Sequence, residues 1–583
     1  MSIFKSLEVA ATSLRTQQQA MDVISQNIAN VNTPGYSRQT PQLVSAQPDH
    51  IYSKGQSVSL GNGVALANVQ RSVDSALTAA QFANNSQLSY AQTMQQGLSG
   101  VQAAFGSLGS PGIASTLDAF FTAEQQLTNT PQDATLRQRV LSSAQDLATQ
   151  ITSMRKQLTD AQKSADQKID PLITKTNTLL DKIGSLNQKI AKVEAGNTGS
   201  TANDLRDQRD QAVRDLAKLI PVQQVSTNNG GMMLQTPGGG LLVQGGTVRH
   251  LQHATANGPS FGSIVFADNG LPASGIDQGG EIGALVALRD TKLGGYIGSL
   301  DSLAKNLIFS VNQQHVNGTG TTAASTYTSG QAATAPNGTT TAVNLDNNVP
   351  FSGKIQTGSF KVHVLDSTGA PLNPPGPGGT TISVQAGTTT LSGIANQINA
   401  INGATASVSN GRLVVNGNGN RVVFGSDNSN FLAAYEVNGF FHGGSAGDIS
   451  VSSGIQNDPG RIATAAINPT TSQVSTSDNT VAKAILGLRD KSMSVDGSSA
   501  ASPVQRAGNL AGNFGLDVAA ANQQVSYRQA EASSLSSQRQ SVSGVNMDQE
   551  LISMLKFQRA YQGAAKVIQS SNTMLDSLMG LIR

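Results

Sequence analysis

Residues 546 to 583 read NMDQELISMLKFQRAYQGAAKVIQSSNTMLDSLMGLIR. Met547, Met554, Tyr561, Ile568, Leu575 and Ile582 recur every seven residues, with Leu551, Phe557, Ala564, Leu578 and Met579 filling the intervening turns. That makes about five heptads of apolar stripe without a proline, the narrow seam of a helix that packs on other helices.

A second stripe lies at the other end of the chain. Ile3, Leu7, Ala10, Leu14, Gln17, Met21, Ile24, Ile28 and Val31 alternate at spacings of three and four, and only Gln17 is polar. The segment ISQNIANVNTPGYSRQ, residues 24 to 39, closes it. Asn30 and Asn32 weaken the helix, and Thr33-Pro34-Gly35-Tyr36 suits a type II turn, because proline fixes φ at its second position and glycine accepts positive φ at its third. Any one amphipathic helix is more often the cover of its own domain. Two narrow stripes, both terminal, serve packing between subunits equally well. The candidate assembly residues are therefore Ile3, Leu7, Leu14, Met21, Ile24 and Ile28 with Met547, Leu551, Met554, Phe557, Tyr561, Ile568, Leu575 and Leu578, and the candidate hinge is Asn30, Thr33, Pro34, Gly35 and Tyr36.

Between the stripes the pattern predicts an α+β multidomain chain: terminal coiled-coil helices, a middle domain of long helices, and inserted β-rich outer domains. Residues 40 to 72 carry short alternating runs and read as extended. Periodicity from Thr135 to Ala195 reads as helix, clearest in Ile169, Leu172, Thr176, Leu179, Ile183, Leu186, Ile190 and Val193, with a kink or break at Pro171. Arg206, Asp210 and Arg214 follow at spacings of four, a solvated charge ladder worth roughly 0.3 to 0.5 kcal/mol per pair. Short β-like runs with Gly-Gly and Pro-Gly punctuation fill 223–279, and helix returns in 281–318 with Leu300, Leu303, Leu307 and Val311 on one side. The stretch 319–350 reads as loop-rich, and 380–417 as strand, helix, strand, strand. Helix resumes near Asn479 with Gly and Pro interruptions from 496 to 515. The implied division is an inner domain of 1–45 with 541–583, a discontinuous helical domain of 46–222, 280–318 and 476–540, a small β-rich insertion of 223–279, and a Gly/Thr-rich outer insertion of 319–475.

Chemistry-bearing patterns are scarce. With no cysteine there is neither a disulfide framework nor a thiolate site. A formal charge of +2 argues against a large nucleic-acid footprint. Of His50, His250, His253, His315, His363 and His442, only His250 and His253 are close, and a lone His-x-x-His lacks the further ligands of a zinc site. Gly238-Gly239-Gly240 precedes a strand pattern rather than a helix, so no phosphate cradle is expected. Neither a metal, a cofactor nor an enzymatic activity is expected. After Lys5, Glu8 and Arg15 interrupt any apolar core of signal-peptide length, and no apolar run reaches a membrane span. A structural adaptor accounts for both stripes; a secreted adhesin leaves them without a role, and a peptidoglycan hydrolase would need paired catalytic carboxylates that the chain does not show in a recognisable context.

NIANVNTPGYSRQ and VNMDQELISMLKFQRAYQGAAKVIQSSNTMLDSLMGL resemble the paired terminal segments of the bacterial flagellar axial proteins, the family of rod, hook and hook-associated proteins. The Ser-Arg-Gln after Gly35-Tyr36, the length, and NDLRDQRDQAVRDLAKLIPV at 203–222 favour the member that joins hook to filament over a hook or rod protein. The resemblance implies a structural role in filament assembly and motility. It also implies an extracellular place on the flagellum, and export through the flagellar channel without a cleaved signal. The partners it implies are further copies of the chain, hook protein, hook-associated protein 3, and an export chaperone that covers the C-terminal stripe. Leu551, Met554, Leu555, Phe557, Tyr561, Ile568, Leu575 and Leu578 are the candidate chaperone contacts. Residues 1–40 and 545–583 are expected to be mobile in the monomer and to become helical on assembly.

Overall fold

The computed structural model describes residues 3–53, 56–106, 112–195, 201–226, 231–254 and 261–580. Its helices in chain order are α1 (Ile3–Ala29), α2 (Ser75–Val101), α3 (Ile113–Asn129), α4 (Ala134–Gln167), α5 (Ile169–Ala195), α6 (Asn203–Leu219) and α7 (Gly280–Ala287). They continue as α8 (Gly294–His315), α9 (Leu391–Asn399), α10 (Phe431–Ala434), α11 (Ser453–Asn457), α12 (Thr480–Gly487), α13 (Pro503–Ser543) and α14 (Met547–Gly580). Long helices with several small antiparallel sheets make this an α+β multidomain protein. Among the described residues no helix is long and apolar enough to cross a membrane. The chain forms two compact units, one of Met1–Gln96, Ala165–Leu288 and Ala520–Arg583, the other of Gly97–Ser164 and Arg289–Ala519.

In the first unit α1 packs along α14 and also on the antiparallel strands Gln39–Ser45 and Val64–Arg71. The reading of 40–72 as extended holds, with a second pair, Asp49–Ser53 and Gln56–Leu60, inside it. Helix α4 ends at Gln167 and α5 begins at Ile169. Pro171 therefore sits in the first turn of α5, where its missing N–H takes no intrahelical bond. Along α5, Ile169, Ile173, Thr176, Leu180, Ile183, Leu186 and Ile190 are buried, while Val193 is exposed. The expected Leu172 and Leu179 are half-buried, giving way to their neighbours because α5 is covered by α6 and also by strands of the β-rich segment. That segment forms a four-stranded antiparallel sheet within 223–248 and a pair, Leu251–His253 with Ile264–Phe266, as the short runs predicted.

The charge ladder on α6 is not solvated. Asp207, Arg209 and Asp210 are buried, Asp210 accepts from Arg71 Nη2 at 2.6 Å, and Arg206 pairs with Glu194 at 2.8 Å. Helix α6 lies among α5, α7 and the strand Val64–Arg71, so its charged positions find partners brought from distant sequence.

In the second unit α12 packs on both α3 and α8, and α8 and α12 touch the small sheets. Phe120, Phe121, Phe440 and Phe441 form its aromatic centre, with ring centroids 4.8 to 5.8 Å apart. The segment 380–417 is strand, helix, strand, strand as read: Thr380–Val384, α9, Thr405–Ser409 and Arg412–Asn416. Thr390 caps α9 by accepting from Gly393 N. The expected helical interruption from 496 is present only as far as Ser502, and α13 then runs unbroken from Pro503 through the residues up to 515 expected to interrupt it. Ser502 and Gln505 explain its start: Ser502 Oγ accepts from Gln505 N at 3.2 Å and Gln505 Oε1 accepts from Ser502 N at 3.0 Å. This reciprocal cap, with proline at the first helical position, outweighs Gly508, Gly512 and Gly515 further along.

Candidate assembly site at the paired termini

Helix α14 starts where Asn546 caps it, its Oδ1 accepting from Asp548 N and Gln549 N. From there α14 runs antiparallel to α1, with Glu550 beside Asn27 at one end and Ser571 beside Ser6 at the other. The column of α14 turned inward is Glu550, Ala564 and Ser571, all buried. Small residues let two helix backbones approach closely. Opposite them α1 buries Ala10, Gln17, Ala20, Ile24 and Asn27.

The apolar column lies beside this contact rather than in it. Met547, Leu551, Leu555, Tyr561 and Leu578 are exposed, with Leu555 55% accessible, and Met554, Ile568 and Leu575 are half-buried; Phe557, also half-buried, falls on the inward column between Glu550 and Ala564. On α1 only Ile24 of the candidates is buried; Ile3, Leu7, Leu14, Met21 and Ile28 are half-buried. Phe4 adds an exposed ring. Ile582 lies outside the described residues.

At the far end of α1 the chain turns. Helix α1 stops at Ala29, Thr33 N donates to Asn30 O, and Tyr36 N donates to Thr33 O at 3.2 Å. Gly35 has φ +88°, which is the third position of a type II turn as expected. A β-carbon at Gly35 would stand 2.9 Å from Arg214 Nη2 and 3.0 Å from Gln211 Oε1 on α6. Arg539 Nη2 donates to Gly35 O at 3.0 Å, tying the same turn to α13.

Polar residues absent from the sequence-level candidates lock this end. Asn27 Nδ2 donates to Gln39 O and to Glu550 Oε2, while Asn27 Oδ1 accepts from Gln39 N and Tyr36 Oη, all at 2.8 to 2.9 Å. Glu550 Oε1 accepts from Arg38 Nε at 2.7 Å. Burial, and then the carboxylates of Asp204, Asp207 and Glu550, push the Tyr36 phenol up to about 12, so it stays a donor. Ser37 donates through N and Oγ to Asp207, whose carboxyl is raised by burial against the pull of Arg71. The amide of Asn27, with all four hydrogen-bonding positions used, thus joins α1, the turn, the following strand and α14. The one signal in sequence was Glu550, an acid on the column of Phe557, Ala564 and Ser571.

His250 and His253 turn to α5, where Asp181 and Asp170 meet them at 2.8 and 2.9 Å. Nothing in the site pairs a nucleophile with a base. The side chain of His50 lies outside those described.

Three family models match: "Flagella basal body rod protein" over residues 7–36, "Flagellar hook-associated protein FlgK helical domain" over 98–328, and "Flagellar basal body rod FlgEFG protein C-terminal" over 536–581. Flagellar hook-associated protein 1 of Salmonella typhimurium is 27% identical over 98% of this chain and 99% of its own length. The protein of that name in Escherichia coli is 27% identical over 98% of both chains, and that of Bacillus subtilis 28% over 42% of this chain and 48% of its own. The solved flagellar hook junction protein FlgK from Burkholderia pseudomallei shares the fold, with TM-score 0.50 at 17% identity over 81% of this chain and 100% of that one.

Proposed function

The chain belongs to the flagellar rod, hook and hook-associated axial proteins, and we propose that it is the structural subunit joining hook to filament. The observation that carries this reading is the partition of α14. Its small and polar column is spent on α1 within the chain, and its large apolar column is left beside that contact. An apolar column of that length serves packing against neighbouring subunits, with Ile3, Leu7, Leu14 and Met21 of α1 extending it. The terminal segments match rod-protein models that serve the whole axis, and the match over 98–328 favours the hook-associated member over a hook or rod protein.

In this reading the segments 1–45 and 541–583 form the inner layer, the helical domain the middle one, and the β-rich insertions at 223–279 and 319–475 the outside. The immediate partners are further copies of the chain, hook protein below and hook-associated protein 3 above. An export chaperone covers Leu551, Met554, Leu555, Phe557, Tyr561, Ile568, Leu575 and Leu578 before export through the flagellar channel without a cleaved signal. The role is mechanical rather than catalytic. Immunogold labelling of intact flagella tests it: a narrow band between hook and filament is expected, and label along the hook or inside the rod would reassign the chain within the family. Normal filaments on cells lacking the gene would sink the junction role itself.

A further inference from the structure

The second unit contains a polar cleft of about 640 Å³ that the axial role leaves unused. That volume lies within the range of about 300 to 1,000 Å³ usual for small-molecule sites. The strand Thr326–Thr328 forms one wall, and the segment from Ser450 to Asn457 with α11 forms another. Two arginines stand at opposite ends of the first wall. Arg461 Nη2 donates to Thr326 O at 3.1 Å, and Arg412 Nη1 donates to Ser329 O at 2.8 Å and to Gly330 O. At the rise of an extended strand these anchors are roughly 10 Å apart. Each guanidinium keeps further N–H groups that no protein acceptor uses.

His442 supplies a third polar group. Its Nδ1 gives a hydrogen bond to Glu436 Oε2 at 2.5 Å, which leaves Nε2 without a protein partner. Glu436 is buried, and its other oxygen accepts from Gln331 Nε2 and Gly443 N, so the acid is held in place and orients the ring. Its residue holds φ +55°, a conformation uncommon for a side chain of this kind and found where the surroundings fix it. The bond to Glu436 raises the His442 imidazole against the effect of burial, so the ring carries positive charge further toward neutral pH.

The lining selects among ligands. Cations are repelled by Arg412 and Arg461. Bases and other flat apolar groups find no open ring, because Tyr327 is buried with the Arg461 guanidinium 5.2 Å from its centroid. Much of the rest of the lining is hydroxyl and amide, including Thr326, Thr328, Asn438, Ser452 and Ser453, with Val451 and Ile455 as its aliphatic members. We propose that this cleft binds an acidic oligosaccharide, its carboxylates at the Arg412 and Arg461 ends and its hydroxyls on the wall between them. Arginine suits a carboxylate because its planar fork matches both oxygens.

The test is calorimetric titration of the full chain with trigalacturonate, beside maltotriose, monomeric galacturonate and sulfate. Trigalacturonate is expected to bind, the monomer at least tenfold more weakly, and maltotriose not detectably. Arg461→Gln and Ser453→Trp, the first removing a charge and the second filling the cleft from an exposed position, should each raise the trigalacturonate Kd at least tenfold. Circular dichroism melts checked against the unchanged protein identify variants that remain folded, and Ser453→Trp removes no anchor. Absence of trigalacturonate binding overturns the proposal. So do equal binding of maltotriose, sulfate binding as tight as the trisaccharide, or undiminished binding to the folded variants.

Discussion

Asn27 and Glu550 lie 523 residues apart and meet at 2.9 Å with both side chains fully buried, Asn27 donating to a carboxylate oxygen that water does not reach. The pair closes the two ends of the chain on each other. Glu550→Ala would leave Asn27 Nδ2 with only Gln39 O, and would release Arg38, which is partly exposed and regains water. The expected loss is about 2 kcal/mol, the range for a hydrogen bond to a charged group plus an unmet donor. Glu550→Gln keeps an acceptor for Asn27 and should lose less than half as much. Urea unfolding of the two variants checks the order, and equal stability of all three proteins would remove the pair from the fold's support.

Helix α14 buries only Glu550, Ala564 and Ser571 along its whole length. Fixing each residue costs roughly 1 to 2 kcal/mol of backbone entropy, so a helix so little covered opens locally far more readily than α5 or α8. In a verified monomer, amides of α14 and of the first turns of α1 should exchange at least tenfold faster than those of α5, and become protected on assembly. Equal protection in the monomer would show that the paired ends are fully ordered before assembly.

Glu124 is fully buried on α3 and neither carboxyl oxygen has a hydrogen-bond partner in the protein. Burial, partly offset by Arg137, pushes it up to about 8. Between its ordinary value and 8 the folded chain binds more protons than the unfolded one, so this group's contribution is favourable at low pH and is lost as pH rises through 8. His315 and His363, both held down to about 4 by burial, act in the opposite sense below their ordinary value. Glu124→Gln should therefore gain on the natural protein as pH rises from 5 to 9, by on the order of 4 kcal/mol at most. Thermal melts at the two pH values read this directly, and a difference independent of pH would mean that Glu124 is already ionised in the fold.

Phe557 is half-buried on the column of α14 that faces α1, and Tyr561 is exposed on the apolar column beside it. Replacing both by Ser removes apolar surface from a chaperone groove while taking little from the fold. Titration of the purified chaperone should show affinity at least tenfold weaker, with the melting temperature within a few degrees of the parent. Unchanged affinity would place the chaperone elsewhere.

Periodicity made the long helices, the turn and the strand segments legible, because each depends on neighbours within a few residues. It did not show which column of α14 meets α1 within the chain: Ala564 and Ser571 form that contact, since close approach rewards small size rather than apolarity, and Met547, Met554 and Tyr561 lie beside it. It also treated Asp210 as solvent-facing, because its partner Arg71 is 139 residues away and only the fold brings them together. Gln17 was the exception to an apolar stripe and is buried all the same. Asn27 and Arg38, within the quoted motif, show their role only once Glu550 is in place.

Gly35 carries the sharpest functional prediction. Its φ of +88° is one that side chains resist, and a β-carbon would press on Arg214 and Gln211 of α6. A β-branched residue adds strain of roughly 1 to 2 kcal/mol from the backbone alone. Since Arg539 holds the carbonyls of Gly35 and Tyr36, the strain falls on the junction of α1, α6 and α13 rather than on a free loop. Gly35→Val should leave the secreted chain folded, with its melting temperature lowered by several degrees, yet alter the angle at which α1 leaves the turn. Cells making only this variant are then expected to carry hooks without filaments and to release flagellin into the medium. Gly35→Asn, which tolerates positive φ but retains the steric contact, should be intermediate. Normal filaments with Gly35→Val would show that the turn does not set the geometry of assembly.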